Sequence, residues 1–190
     1  MRLFVAVEID HSVREALGAF SAVLRRKAQT LAPSARIGWV ALEQLHITLR
    51  FIGEVDDDKA AAIAGALLMP LEAEPFDLDA AGAGAFPERG APRVLWAGVE
   101  GGVEGLANLE AEVSRRLAAC AIAREGRAYR PHITLARVRD AAGLRSTALF
   151  ETRADLRFGT SRVEAITLFQ SRTSPKGAVY TPLHRTSLRH

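Results

Sequence analysis

The feature that most constrains the fold of this chain is the tetrapeptide His-Ile-Thr-Leu, which occurs twice, once beginning at His46 and once at His132. Each copy lies in a short apolar run, which predicts a β-strand. Residues two apart in a strand share a face, so each histidine projects together with the threonine that follows it, Thr48 or Thr134. Each copy is therefore expected to bury its aliphatic side chains and to present an imidazole and a hydroxyl on the opposite face.

The segments that precede the two copies follow the same order of predicted elements. Before the first copy, residues 3–9 predict a strand, and Ser12 with Glu15 forms a capping-box pattern that predicts the start of a helix. Before the second copy, residues 93–99 predict a strand, and residues 106–117 carry leucine and valine at helical spacing. This repetition predicts an α+β fold with two antiparallel or mixed sheets, helices packed outside them and a pseudo-two-fold arrangement.

A stretch rich in glycine, alanine and proline, residues 80–92, is the expected boundary between the two units. We therefore expect a single domain, residues 1–190, with approximate halves 1–85 and 86–190. A weaker helix is predicted in each half after the motif strand, over residues 59–71 and 141–150.

Composition adds limits on the class of protein. A chain of 190 residues, 48% of them hydrophobic, can bury one substantial core. The formal net charge of +3 is compatible with a phosphate-bearing partner without requiring one. The one cysteine, Cys120, allows no disulfide framework within a monomer and favours a reducing compartment. No apolar run reaches the roughly 18 residues of a membrane span, so we expect a soluble, cytoplasmic monomer.

The repeated motif points to acid and base chemistry. One isolated His-x-Thr is most simply the polar face of a half-buried strand, but two symmetric copies favour a facing pair of histidines. Imidazole exchanges protons near neutral pH, so such a pair suits concerted proton transfer at a phosphate held by the two threonine hydroxyls. The sequence contains no H-E-x-x-H motif, nucleophile elbow, Walker-type phosphate loop or dinucleotide fingerprint. We therefore expect no metal and no nucleotide cofactor.

At these residues the chain resembles the 2H phosphoesterase superfamily, and within it the bacterial and archaeal RNA 2',3'-cyclic phosphodiesterases, historically called 2'-5' RNA ligases. The resemblance covers nearly the whole chain. It is carried by Arg2 to Val7, Trp39 with Val40, Leu45 to Val55, Phe86 with Pro87, Pro92 to Trp96, Arg130 to Arg137, Leu168, Ser171, Gly177 and Tyr180.

The resemblance implies a bilobal fold with both motifs facing a central cleft, and hydrolysis of a terminal RNA 2',3'-cyclic phosphate to a 2'-phosphate. It further implies His46 as the general acid, His132 as the general base and Arg137 as a phosphate contact. Three alternatives stay open at this point. They are a relative that acts on small cyclic nucleotides or ADP-ribose cyclic phosphate, reverse ligation as a side reaction, and an RNA-binding module without activity.

Two arginines are further candidates for the site. The alternation of side chains along a strand predicts that one of them shares the face of its histidine and that the other does not. Arg50 lies four residues after His46 and should share its face, where it is a second candidate for phosphate binding. Arg137 lies five residues after His132 and should point the other way unless the strand bulges after Leu135. A solvated surface arginine is the alternative for both.

Four aromatic residues are candidates for stacking on an RNA base, with burial in the core as the alternative. They are Phe4, Trp39, Phe51 and Trp96.

Overall fold

The computed structural model describes residues 1–150, 155–174 and 177–189. A 3-10 turn, Leu42–Gln44, precedes the first motif. The strands and α-helices of these residues are β1 (Arg2–Glu8), α1 (His11–Leu31), β2 (Arg36–Trp39), β3 (His46–Glu54), α2 (Asp57–Ala66), β4 (Phe76–Phe86), β5 (Val94–Gly101), α3 (Val103–Ala118), β6 (His132–Asp140), α4 (Ser146–Leu149), β7 (Arg157–Val163), β8 (Ala165–Ser174) and β9 (Gly177–Ser187). Both copies of the repeated tetrapeptide lie in strands, as predicted, and each strand begins at the histidine.

The alternation of side chains in β1 defines the two faces of the sheet. Leu3 and Val5 are fully buried in the main core, on the face that the helices cover. Phe4 and Ala6 point to the other face, where they form a small cluster with Phe169 of β8. Because adjacent residues of a strand point to opposite faces, the main core and the small cluster lie on opposite sides of β1.

The two long helices each bury an apolar stripe. The buried residues of α1 are Val13, Leu17, Leu24 and Ala28, and α3 buries Leu106, Leu109, Val113 and Leu117. The predicted capping box at Ser12 is wrong, because α1 begins at His11 and its N-cap residue is Asp10. The Asp10 carboxylate accepts a hydrogen bond from the backbone N–H of Arg162, 3.0 Å away, and so joins the start of α1 to β7.

The two shorter helices differ from their predicted lengths. In α2 the Asp56 carboxylate caps the first turn by accepting from the backbone N–H of Lys59, as acidic residues at this position favour. This helix ends at Ala66, before Pro70, which cannot continue it. The helix predicted over residues 141–150 is a single turn, α4.

Within the described residues, nine strands form one sheet. Its order is β7-β4-β5-β6-β3-β1-β8-β9, and β2 pairs with β6 beyond the end of β3. All of these pairings are antiparallel. The α+β class and the antiparallel pairing are therefore confirmed. The strands form one sheet where two were predicted, because β3 and β6 pair at the centre and join the two sets of strands.

The two sides of the sheet each take strands from both halves of the chain. Strands β8 and β9, from the C-terminal half, lie beside β1, whereas β4 lies beside β5 on the other side of the central pair. The sides therefore do not coincide with residues 1–85 and 86–190. That division stays a prediction about the repeat in the sequence.

None of the helices in the described part of the chain is long and apolar enough to cross a membrane.

Candidate active site

The two copies of the motif meet where β3 and β6 pair. Ile47 lies opposite Ile133 in an antiparallel register, and both are fully buried in the main core. Their neighbours point to the other face, so the imidazole and hydroxyl of both copies project from the same face of the sheet. Continued by one residue in each direction, the register sets His46 beside Thr134 and Thr48 beside His132. The pairing of two central isoleucines thus unites the four predicted polar residues.

Each histidine is oriented by a backbone carbonyl two residues before it. Nδ1–H of His46 donates to the carbonyl oxygen of Gln44 at 2.7 Å, and Nδ1–H of His132 donates to that of Arg130 at 2.8 Å. A carbonyl oxygen only accepts, so Nδ1 of each ring carries a proton. In the neutral ring Nε2 is therefore the free acceptor, and in the protonated ring Nε2–H is the free donor.

Aromatic rings surround both imidazoles. The ring of His46 contacts Phe4, with centroids 5.0 Å apart, and the edge of Tyr180, 5.2 Å away. The ring of His132 lies edge-on to Phe86, with centroids 5.3 Å apart, and Phe86 in turn contacts Trp96. Apolar rings on both sides limit the access of water to the histidines and hold their orientation.

Burial lowers the pKa of both histidines below 6.5, because it disfavours the charged imidazolium. The hydrogen bonds to the carbonyls of Gln44 and Arg130 oppose this effect on the respective pKa values. The positive charge of Arg137 lowers the pKa of both rings. His46 lies in the fields of His132 and Arg14 as well, which lower its pKa further. The influence of Arg137 on both rings places its charge near both copies of the motif.

A β-bulge after Thr134 brings Arg137 to the face of the sheet that carries the two histidines. Thr134 lies opposite Trp96 of β5, but the next pairs are Ala136 with Leu95 and Arg137 with Val94, so Leu135 is an extra residue in β6. The bulge restores Arg137 to the face of Thr134, contrary to strict alternation and in line with the stated exception. Its side chain is exposed on that face.

An equivalent bulge in β3 removes Arg50 from the face that carries the two histidines. Thr48 lies opposite Ala6, but Arg50 lies opposite Val5, so Leu49 is the extra residue and Arg50 points into the main core with Val5. The expectation that Arg50 shares the face of His46 is therefore wrong. The reason is that the extra residue, Leu49, reverses the alternation of side chains between the two faces for the residues that follow it.

Arg50 instead holds the loop that leads to the second motif. Its side chain is 3% exposed, its Nη2 donates to the carbonyl of Ala123, and its Nη1 lies 3.4 Å from the Glu125 carboxylate. Within the described residues, its Nε and Nη1 make no hydrogen bond. The guanidinium of Arg50 therefore joins β3 to the loop before the second motif and lies away from the face that carries the histidines.

The four stacking candidates occupy different environments. Phe4 is 4% exposed, Trp39 and Trp96 are half-buried, and Phe51 is 44% exposed. Phe4 is one of the rings that contact His46. Phe51 lies opposite Phe4 in the β1–β3 ladder, on the same face of the sheet.

A polar cavity of about 500 Å³ adjoins the site, lined by Glu8, Arg14, Arg185 and others. Glu8 lies opposite His46 in the β1–β3 ladder, so this cavity lies at the His46 end of the paired motifs. Sequence reasoning did not identify Glu8 or Arg14, because neither belongs to a motif. The carbonyls of Gln44 and Arg130 were also missed, because a backbone carbonyl two residues before a histidine has no mark in the sequence.

Among the residues that the structure describes, no group of three or more histidine, cysteine, aspartate or glutamate side chains is arranged to hold a metal ion.

The fold and the duplicated His-x-Thr pair define a phosphoesterase of the two-histidine type. The chain belongs to the 2'-5' RNA ligase superfamily, which it matches over residues 15–175. It is 37% identical to an RNA 2',3'-cyclic phosphodiesterase of Thermus thermophilus, over 100% of this chain and 91% of that protein. It is 35% identical to an Archaeoglobus fulgidus protein of the same name, over 96% of this chain and 98% of the other. The predicted family is therefore confirmed, and the names of these relatives agree with the expected hydrolase class.

A solved structure has the same fold. The chain superposes on E. coli LigT in its complex with 3'-AMP with a TM-score of 0.74 and 29% sequence identity, and the match covers 100% of this chain and 98% of that one.

Proposed function

We propose that this chain hydrolyses the terminal 2',3'-cyclic phosphate of RNA to a 2'-phosphate, with His46 and His132 as the acid and base. The observation that carries the proposal is the Ile47–Ile133 pairing, which sets two imidazoles and two hydroxyls on one face of the sheet. The curated relatives share the name RNA 2',3'-cyclic phosphodiesterase, which supports the substrate.

The proposed reaction transfers two protons. Neutral His132 accepts a proton at Nε2 from the attacking water, whose oxygen forms a new bond to phosphorus. The bond between phosphorus and the ribose 3' oxygen breaks, and protonated His46 donates its Nε2 proton to that oxygen. The product carries a 3'-hydroxyl and a 2'-phosphate, and the next turnover begins after the two histidines exchange protons with solvent.

The surroundings of the histidines suit these roles once the substrate is bound. Burial and nearby cations lower the pKa of His46, so the free ring favours its neutral form. A phosphate anion between the two rings opposes this effect and favours a protonated donor. The carbonyl acceptors of Gln44 and Arg130 keep Nε2 of each ring directed away from the backbone hydrogen bond, as both proton transfers require.

Three other residues contact the phosphate in this proposal. Thr48 and Thr134 project with the histidines and donate their hydroxyls to the non-bridging oxygens. Arg137 lies on the same face and is exposed, so its guanidinium can balance the charge that develops in the transition state. Removal of either hydroxyl by Thr→Val should lower kcat/KM about tenfold, whereas Thr→Ser retains the donor.

A direct test uses a short RNA that ends in a 2',3'-cyclic phosphate, in buffer with a chelator. We expect conversion to an RNA with a 2'-phosphate, identified by phosphorus NMR against 2'- and 3'-phosphate standards. A 3'-phosphate product, or no product at all, would contradict the proposal. Competition with a nucleoside 2',3'-cyclic phosphate and with ADP-ribose cyclic phosphate then shows which substrate is preferred.

A further inference from the structure

The two strands that carry the motifs have different residues at one matching position on the face of the histidines. The matching bulges in β3 and β6 identify this position. Arg137 follows His132 by five residues, and Phe51 follows His46 by five. In each strand the bulged leucine returns this fifth residue to the face of the histidine. From the histidine to this position the two strands have the same order of buried and partly exposed residues, and both side chains at the position itself are exposed. Phe51 is thus the counterpart of Arg137.

The structural environment of Phe51 is unusual for a large apolar side chain. It is 44% exposed, although its partner across the ladder, Phe4, is 4% exposed. The guanidinium of Arg2 lies over the Phe51 ring, 5.0 Å from its centroid. An exposed ring with an adjacent arginine, on the same face as two catalytic histidines, has the composition of a site that holds one nucleotide of a single strand.

We propose that Phe51 and Arg2 bind the nucleotide that precedes the cyclic phosphate in the RNA substrate, with its base stacked on this pair and its phosphodiester near the guanidinium. This inference rests on the proposed function. It adds a second nucleotide subsite, which a mononucleotide substrate leaves empty.

The position of the pair supports the preceding nucleotide over the terminal one. In the proposed complex the terminal nucleoside, which carries the cyclic phosphate, lies near His46 and therefore near the rings that contact it, Phe4 and Tyr180. Phe51 is the next aromatic ring outward on this face, because it lies opposite Phe4, and Phe4 contacts His46. From Ala6, opposite Thr48, to Phe4, opposite Phe51, is two residues of β1, or about 7 Å. Phe51 therefore lies beside the phosphate site but not in it.

The same geometry gives the two ends of the site different tasks. On the β6 side the fifth residue is a cation, which suits the reacting phosphate. On the β3 side it is an aromatic ring, which suits a base. The two similar strands thereby bind the RNA in one orientation, with the reacting phosphate on the β6 side and the preceding base on the β3 side.

The test compares two substrates with the same terminal base, a tetranucleotide and a mononucleoside, both with a 2',3'-cyclic phosphate. The Phe51→Ala variant should raise KM for the tetranucleotide at least about fivefold, because a stacked base contributes on that scale, and should leave KM for the mononucleoside within about twofold. Phe51→Tyr keeps the ring and should restore the tetranucleotide KM. Met69→Ala is the matched control, since it removes a large apolar side chain that is 71% exposed and lies outside the sheet.

Two further measurements examine the base and the charge separately. A tetranucleotide without a base at its penultimate position should have a raised KM with the wild-type chain, and Phe51→Ala should add little to that increase. Arg2→Gln should reduce the dependence of log KM on log salt by about 0.7 for the tetranucleotide, the slope expected for one contact to a single-stranded phosphate.

An equal effect of Phe51→Ala on both substrates, or no effect on the tetranucleotide, would overturn the inference. Failure of the proposed function has a different signature, because the wild-type chain would then open neither substrate. In that case the fluorescence anisotropy of a labelled tetranucleotide with a 3'-phosphate still tests the subsite. Equal affinity of the wild-type and Phe51→Ala chains for it would refute the inference, and weaker binding by the variant would support it.

Discussion

Ile47 and Ile133 face each other across β3 and β6, and both are fully buried. Each isoleucine lies between the histidine and the threonine of its own motif. Their antiparallel pairing is locally two-fold, so every polar group of one motif has a counterpart from the other. The packing that stabilises the centre of the fold is thus the same packing that assembles the site.

The first prediction concerns the two histidines. His46→Ala and His132→Ala should each lower kcat/KM for a cyclic-phosphate RNA at least about 100-fold, because each removes a group that transfers a proton in the proposed mechanism. His11→Ala is the control, since His11 is an exposed residue at the start of α1 with a Glu15 partner, and it should stay within about twofold of the wild type. Retention of activity by either motif variant would contradict the proposed mechanism.

Much of this arrangement is predictable from the sequence because it depends on local periodicity. The strands that carry Thr48 and Thr134, and the buried stripes of α1 and α3, follow from spacings of two and of three to four residues. The family resemblance includes Phe4 and Tyr180, but it did not predict that both rings contact His46.

The faces of the two arginines were not predictable by the same means. A bulge depends on how a strand pairs with its neighbour, and Leu49 and Leu135 carry no sequence mark that distinguishes a bulged leucine from a regular one. Alternation therefore assigned Arg50 to the wrong face. The placement of β8 and β9 beside β1 is likewise a long-range pairing, which local patterns do not specify.

The second prediction concerns pH. Burial, followed by nearby cations, lowers the pKa of both free histidines below 6.5. In the proposed mechanism the active form holds one proton on the two histidines, so kcat/KM should follow a bell-shaped profile whose maximum lies below pH 6.5. The profile of kcat should lie at higher pH, because bound phosphate stabilises the imidazolium. Initial rates at low and at saturating substrate between pH 4.5 and 9 separate the two profiles, and an optimum of kcat/KM above pH 7.5 would be inconsistent with the lowered pKa values.

The same shifts predict the direction of a stability change. A histidine whose pKa is lowered on folding binds protons more weakly in the native than in the unfolded chain, so stability falls as pH drops from above 6.5 through the folded pKa. His46→Gln removes one such group. Its free energy of unfolding should therefore decrease less than that of the wild type between pH 7 and pH 5, as measured by urea denaturation.

The third prediction distinguishes a specific role of Arg137 at the site from the general effect of removing one positive charge. Arg137→Ala should lower kcat/KM about 100-fold through lost stabilisation of the transition state. It should also move the acid limb of the kcat/KM profile to higher pH, because this guanidinium lowers the pKa of both histidines. Arg25→Ala, an exposed arginine of α1, should change neither quantity. A loss of activity with an unchanged acid limb would show that Arg137 does not act near the rings.

The fourth prediction assigns Arg50 to stability. Arg50→Met should lower the free energy of unfolding by about 2 kcal/mol, since the Ala123 carbonyl loses its donor and the loop before the second motif loses its anchor. Glu125→Gln should change it by less than about 0.5 kcal/mol, because that carboxylate is 55% exposed. Equilibrium urea unfolding of both variants measures the difference. A stable Arg50→Met chain with a raised KM would instead return Arg50 to the substrate site.

The fifth prediction decides which histidine is the acid, a question that the near-symmetry of the motifs leaves to experiment. In a substrate whose ribose 3' oxygen is replaced by sulfur, the leaving thiolate is stable without a proton, so loss of the general acid matters little. His46→Ala should therefore recover most of its activity on this substrate, whereas His132→Ala should stay inactive because water still needs a base. Release of the thiol is followed with a colorimetric thiol reagent, and the wild-type rate on the same substrate is the reference. Recovery by His132→Ala in place of His46→Ala would exchange the two roles. That outcome would agree with the additional positive charge of Arg14 and His132 near His46, which favours a neutral His46 in the free enzyme.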